Sequence, residues 1–212
     1  MRLILSGEKI SYHGKIVRLD HVGLGWKPLR SYIPLYIPAT SKTGLRLAGE
    51  IGDGVVLNAA SSPEYTANAI RIMKEAAEKA GRDWSTFEVA QIVNCSVEDD
   101  RQKALDAVRW EIATKFDPVQ ISFNAGPRMR VGEPHIRNED IPRFEEAYRK
   151  GGMEGLLKAV PDSYVEGLTA SGTPREVVAR VQAYRDAGVQ LPILRPAAMH
   201  QAGPLLELFA NR

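Results

Sequence analysis

Residues 33–58 read IPLYIPATSKTGLRLAGEIGDGVVLN. An apolar run, Ile33–Ala39, suits a strand, and it stops at the polar turn Thr40-Ser41-Lys42-Thr43. Thr43–Gly49 suits a short helix, and Gly52-Asp53-Gly54 opens a second apolar run through Ala59. A strand, a helix and a strand joined by short turns imply parallel pairing through a right-handed crossover. The turn has two readings. Thr40 or Ser41 can cap the helix through its hydroxyl oxygen. Alternatively, free N–H groups at the helix start, two hydroxyls and the Lys42 ammonium can hold an anion.

Downstream the alternation continues. Ser62-Pro63 marks a helix start, with Ser as N-cap and Pro at the first helical position. Ala69, Ile70, Met73, Ala76, Ala77 and Ala80 share a face that Gly81 closes. Phe87–Val97 reads as a strand, and Asp99 or Asp100 caps a helix striped by Leu105, Val108, Ile112 and Phe116. Thr173-Pro174-Arg175-Glu176 is a capping box, followed by a face of Val177, Val178, Val181 and Tyr184. Leu191–Ala197 is a last strand and Gly203–Asn211 a last helix. Upstream, ISYHGKIVRLDHVGL suggests a hairpin turning at His13-Gly14, with Ile16, Arg18, Asp20 and Val22 alternating along a two-sided strand. Between Phe116 and Ser171 the periodicity weakens. Pro127, Pro134 and Pro142 suggest an extended excursion over the surface, then a helix over Arg143–Val160 interrupted at Gly151-Gly152.

Composition narrows the function classes. The chain has 212 residues, 44% hydrophobic and 25% charged, enough for a sizeable core. Lys and Arg number 28 against 26 Asp and Glu, with no basic block, which argues against nucleic acid as a partner. Cys95 is the single cysteine, so no intramolecular disulfide or cysteine metal cluster is expected. No apolar run reaches the length of a membrane span, and the N-terminus lacks the long apolar region of a signal peptide. A cytoplasmic protein is expected. No pair among the histidines has metal-ligand spacing, and Gly-x-Gly-x-x-Gly, a Walker loop and a nucleophile elbow are all absent.

The strands IPLYIPA, GVVLNA and LPILRPA are near-continuous apolar runs, as expected where both sheet faces are covered. About four strand–helix units are visible, whereas a complete (β/α)8 barrel needs eight and about 250 residues. The run from Pro34 to Asn58 resembles the luciferase-like oxidoreductases, flavin- or deazaflavin-dependent (β/α)8 barrels. It is most similar to members near the deazaflavin-dependent methylenetetrahydromethanopterin reductases. SYHGKIVRLD, KAGRD after the first long helix, and GTPREVVARVQAYRDAGV before LPILRP resemble the same family. In those relatives the turn usually holds Gly-Pro, where this chain has Ser41-Lys42. The resemblance begins deep inside the family pattern. Met1 falls in what resembles a mid-barrel helix, so barrel strands one to four are expected to be missing.

The implied fold is α/β: a partial (β/α)8 TIM barrel of about four C-terminal units, with a hairpin and an irregular insertion. As one domain over 1–212, it divides into a helix end and hairpin (1–32), β/α units (33–116), an insertion (117–171) and a last unit (172–212). The resemblance implies a luciferase-like oxidoreductase, passing hydride between a reduced cofactor and a small organic substrate. The alternative is a non-catalytic half-barrel that binds a flavin or a partner. Coenzyme F420 is the expected cofactor and FMN the alternative. Exposed sheet edges lead us to expect a homodimer or a separate N-terminal half as partner.

In the family the turn after the first of these strands helps bind the cofactor tail, which assigns Ala39, Thr40, Ser41 and Lys42 to that role. Asn58 ends the next strand at the same mouth, where its amide orients substrate or phosphate, or else forms an Asx turn at Ser61–Pro63. Arg195, at the end of the last strand, either clamps a phosphate or carboxylate or pairs with a neighbouring acid. Gln91 and Asn94 interrupt an apolar strand, and one of them should face the barrel interior. Asp53 lies at the opposite, structural end, and Cys95 reads as a small core residue. Nothing singles out a catalytic residue.

Overall fold

The computed structural model describes residues 2–30 and 32–210. It forms two compact units, Met1–Leu35 and Tyr36–Arg212. In the first, β1 (Ile10–His13) and β2 (Arg18–Val22) make an antiparallel hairpin with a register irregularity between Ile10 and Tyr12. Ile16 lies in the connecting loop rather than on the strand and is almost fully exposed. Leu19 is the least exposed residue of β2, so the alternation expected through Ile16 and Val22 is displaced.

The second unit continues with β3 (Tyr36–Ala39), α1 (Lys42–Ile51), β4 (Gly54–Leu57), α2 (Pro63–Lys79), β5 (Glu88–Val97) and α3 (Arg101–Ala113). Then come α4 (Ile121–Val131), α5 (Ile141–Ala159), α6 (Asp162–Leu168), β6 (Ala170–Gly172), α7 (Pro174–Asp186), β7 (Leu191–Pro196) and α8 (Ala202–Phe209). Every strand pair in its five-stranded sheet is parallel. β5 is the hub. It pairs with β4 along Glu88–Gln91, with β7 along Ala90–Cys95 and with β6 at Cys95–Val97.

Most helix boundaries follow the local chemistry. The Ser62 hydroxyl accepts from the Tyr65 N–H at 3.1 Å and Pro63 occupies the first turn of α2. Gly81, at φ +68°, ends α2 in the left-handed conformation that glycine adopts without strain. Asp100, not Asp99, caps α3 by accepting from the N–H groups of Gln102 and Lys103. The capping box at α7 is complete, with Glu176 accepting from the Thr173 N–H at 2.8 Å. Asn211, the end of the expected last helix, lies outside the described residues.

The helix expected over Arg143–Val160 is present as α5, but the rest of the segment from 117 to 171 departs from expectation. It is helical, not extended, and forms a core of its own. Phe116, Phe144 and Tyr164 pack as a trio with ring centroids 5.1–5.3 Å apart, surrounded by Leu105, Ile112, Leu156 and Val165. The prolines do different work from that assumed. Pro142 sits in the first turn of α5, Pro134 lies between helices, and Pro127 is tolerated inside α4. Gly152, at φ +58°, kinks α5 where the Gly-Gly pair predicts a break.

Successive side chains alternate across the sheet. Ile37, Ala39, Val55, Leu57, Val89, Val93 and Cys95 pack in the main hydrophobic cluster with residues of α1, α2, α7 and α8. The opposite face does not share that cover. Tyr36 is 38% exposed, Leu191 49% and Ile193 40%. The expectation of two covered faces is thus corrected. An apolar run reports how greasy a strand is, whereas coverage depends on what else packs on it.

Candidate functional site

The C-terminal ends of β3 and β4 lie side by side because the strands are parallel and in register, Ala39 beside Leu57. The chain leaves β3 through Thr40 and Ser41 into α1, and leaves β4 through Asn58 into the loop before α2. Between these exits is a cavity of about 350 Å³ lined by Pro38, Ala39, Thr40, Val56, Asn58 and Ile92. It opens on the face of the sheet that the helices leave uncovered.

Of the residues assigned to the cofactor tail, Ala39 and Thr40 line this cavity with Asn58, while Ser41 and Lys42 follow at the start of α1. The Ser41 hydroxyl accepts from the Gly44 N–H at 3.2 Å and so serves as the N-cap. Lys42 is exposed at the first helical position. The first N–H groups of any helix lack intrahelical acceptors, and the dipole there favours negative charge. The Tyr65 hydroxyl donates to the Thr40 carbonyl at 2.9 Å and ties this turn to α2. Burial pushes the Tyr65 phenol up to about 12, so it stays a donor at neutral pH.

Asn58 is exposed, and its Oδ1 accepts from the Ala59 N–H at 2.9 Å. The capping role at α2 falls to Ser62 instead. Arg195 lies outside this cavity. Its Nε donates to Asn94 Oδ1 at 2.9 Å, and its Nη2 forms a close ion pair with Glu111. Gln91 and Asn94 are both buried but face opposite ways. Gln91 lies on the helix side, accepting from Thr66 at 2.7 Å, and Asn94 belongs to the face that carries Arg195. Asn94 Nδ2 is buried without a hydrogen-bond partner among the described residues. Lys115 stands near Arg195 and Glu111, and burial lowers its ammonium pKa.

Sequence reasoning missed what holds the loop after β4. Arg128 of α4 is almost completely buried, and its Nε donates to Ser61 Oγ at 3.1 Å and its Nη2 to the Ala59 carbonyl at 3.0 Å. Its Nη1 donates to the Asn124 carbonyl and side-chain oxygen at 2.9 and 3.2 Å. Glu133 accepts from the Ser62 N–H at 2.7 Å and the His135 N–H at 3.2 Å, and burial raises its carboxyl pKa. The Tyr184 hydroxyl donates to the Ser61 carbonyl at 2.7 Å. These partners are 67 to 123 positions away in sequence, so no local pattern announces them.

The profile of the luciferase-like monooxygenase family matches residues 1–191. The chain belongs to this family. Among luciferase-like relatives, the 5,10-methylenetetrahydromethanopterin reductase of Archaeoglobus fulgidus is 32% identical over 194 residues, covering 89% of this chain and 55% of that protein. The F420-dependent glucose-6-phosphate dehydrogenase of Nakamurella multipartita is 28% identical over 164 residues, covering 77% of this chain and 45% of that protein. The solved coenzyme F420-dependent tetrahydromethanopterin reductase of Methanopyrus kandleri shares the fold, with a TM-score of 0.79 at 24% identity over 99% of this chain and 58% of that one. This luciferase-like chain spans about half the length of the curated relatives it matches.

Proposed function

We propose that this chain binds coenzyme F420 at the C-terminal end of its sheet and acts as a luciferase-like F420-dependent oxidoreductase on a small organic substrate. The observation that carries this reading is the cavity where Ala39 and Thr40 meet Asn58 beside the start of α1. Its donors suit the anionic tail of such a cofactor: the Thr40 hydroxyl, the Asn58 amide, the Lys42 ammonium and the first N–H groups of the helix. Relatives named as F420-dependent support the deazaflavin. FMN, which also carries a phosphate, is the alternative.

When bound, the deazaflavin supplies the hydride chemistry, and the protein supplies binding, orientation and electrostatics. Thr40, Ser41 and Lys42 hold the tail while Tyr65 fixes the Thr40 backbone. Asn58 orients the substrate or the tail. Arg195, held by Asn94 and Glu111, is assigned to a substrate oxygen.

The sheet fits about four C-terminal units of a (β/α)8 barrel. Parallel strands with helices on one face support this, as do β3 and β7, each paired along one side among the described residues. In this reading a second copy of the chain or a separate N-terminal half completes the barrel and covers Tyr36, Leu191 and Ile193. The same open face favours a second reading, a non-catalytic half-barrel that binds F420 or a partner and turns nothing over. Absorbance of the purified protein, mass spectrometry of any released ligand and titration with F420 and FMN test the proposal. Saturable F420 binding supports it, and failure to bind either cofactor sinks it. Bound cofactor without turnover of any substrate tried selects the second reading. Light scattering at micromolar concentration tests assembly, where a clean monomer contradicts the homodimer.

A further inference from the structure

The loop between β4 and α2 contains a residue in an unfavourable conformation. Ala60 has φ +59°, in the left-handed region, where a non-glycine residue is strained. Such a backbone persists only where its surroundings over-determine it. Here they do. The Ala59 carbonyl and the Ser61 hydroxyl accept from Arg128, the Ser61 carbonyl accepts from Tyr184, and the Ser62 N–H donates to Glu133. Every one of these partners comes from outside the loop.

Arg128 is an expensive way to hold a turn. Burial lowers its guanidinium pKa although the buried Glu133 carboxylate acts the other way, and its printed hydrogen bonds all go to carbonyl, amide and hydroxyl oxygens. A buried charge satisfied only by carbonyls and hydroxyls contributes less to stability than a packed apolar side chain of similar size. Its geometry supplies what an apolar residue cannot: a planar fork that grips Ala59 and Ser61 at once. Asn58, immediately before the gripped residues, lines the cavity assigned above to the cofactor tail.

We propose that Arg128 is a positioning residue for anion binding: it locks the Ala59–Ser61 turn in its strained form and so sets Asn58 at the mouth of the cavity. The ligand class is a phosphate-bearing tail, and the inference rests on the F420 reading for that identity. Arg128 itself does not touch the ligand.

The test uses the full chain with four substitutions: Arg128→Met, Arg128→Lys, Ala60→Gly and the double variant Arg128→Met with Ala60→Gly. Two readouts are taken: amide hydrogen exchange of the free protein and the dissociation constant for F420. In Arg128→Met, exchange at residues 59–62 accelerates about tenfold or more while α3 is unchanged, and F420 affinity falls about tenfold. Ala60→Gly alone leaves affinity within about twofold. In the double variant, glycine removes the left-handed strain and recovers about fivefold of the lost affinity. Arg128→Lys keeps the charge but loses the fork, and it loosens the same residues, which keeps the idea testable if the Met variant does not fold. The proposal is overturned if exchange rises uniformly across α4 and the loop with F420 affinity unchanged, or if Ala60→Gly rescues nothing. If the unaltered chain does not bind F420, the cofactor reading fails, and the exchange data still decide whether Arg128 locks the turn.

Discussion

Cys95 lies in β5 with no exposed surface, and burial pushes its thiol up to about 12. A thiol that is neither ionised nor accessible does not react. We therefore expect no modification of native protein by a disulfide reagent at pH 8, and one thiol per chain after unfolding in urea. Rapid native reaction would show that β5 opens. Tyr65 offers a second residue-scale test. Tyr65→Phe removes the hydrogen bond to the Thr40 carbonyl and should cost about 1 kcal/mol in urea denaturation. At this scale the sequence was informative wherever a residue acts on its own neighbours. Ser62, Asp100 and the Thr173–Glu176 pair cap the helices they precede because capping is local chemistry. Arg128 was not legible for the opposite reason: its partners Ala59 and Ser61 are about seventy positions away.

At the scale of elements, α1 and α2 approach closely because Gly49 has no side chain. A Cβ there would sit 2.2 Å from the Met73 carbonyl oxygen. Gly49→Ala must push the helices apart and should destabilise by about 1–3 kcal/mol in denaturant titration. Gly203 in α8 makes the contrast, since a Cβ there meets nothing within 4 Å. Gly203→Ala should change stability by no more than about 0.5 kcal/mol, because the site is open but lies in the first turn just before Pro204. If the two substitutions behave alike, the close helix contact is wrong. The β/α elements were legible because each carries its own period and caps. Of the helices between 117 and 171 only α5 was, and α4 and α6 were not, since this region is held by Phe116, Phe144 and Tyr164 meeting across long stretches of chain. Tertiary packing of this kind overrides weak local propensity.

For the whole molecule, His135 links fold stability to pH. It is half-buried against Gly167, faces Glu64 at 3.8 Å and Arg180, and burial lowers its pKa from the usual 6.5. The folded state thus favours neutral imidazole. Its contribution is complete above the unfolded value and is lost as pH falls through the folded one. Glu133, raised by burial, has the opposite sign: its contribution is present below the usual 4.5 and is lost as pH rises through its folded value. The two oppose each other between pH 7 and pH 5, so the test is the difference: His135→Gln should lose less melting temperature over that range than the unaltered chain, and an unchanged slope would contradict this assignment. The sheet poses the larger question, because one face is covered by helices and the other shows Tyr36, Leu191 and Ile193 to solvent. The sequence signalled parallel strands but not this asymmetry, which depends on what packs against the strands.

The central claim is that the ends of β3 and β4 hold the cofactor tail. Hydrogen exchange of the full chain with and without saturating F420 tests it most directly. The account predicts protection confined to residues 39–44 and 58–62, with no change around Gly81–Phe87 at the opposite end of the sheet. Binding that leaves both of those segments unprotected would contradict it.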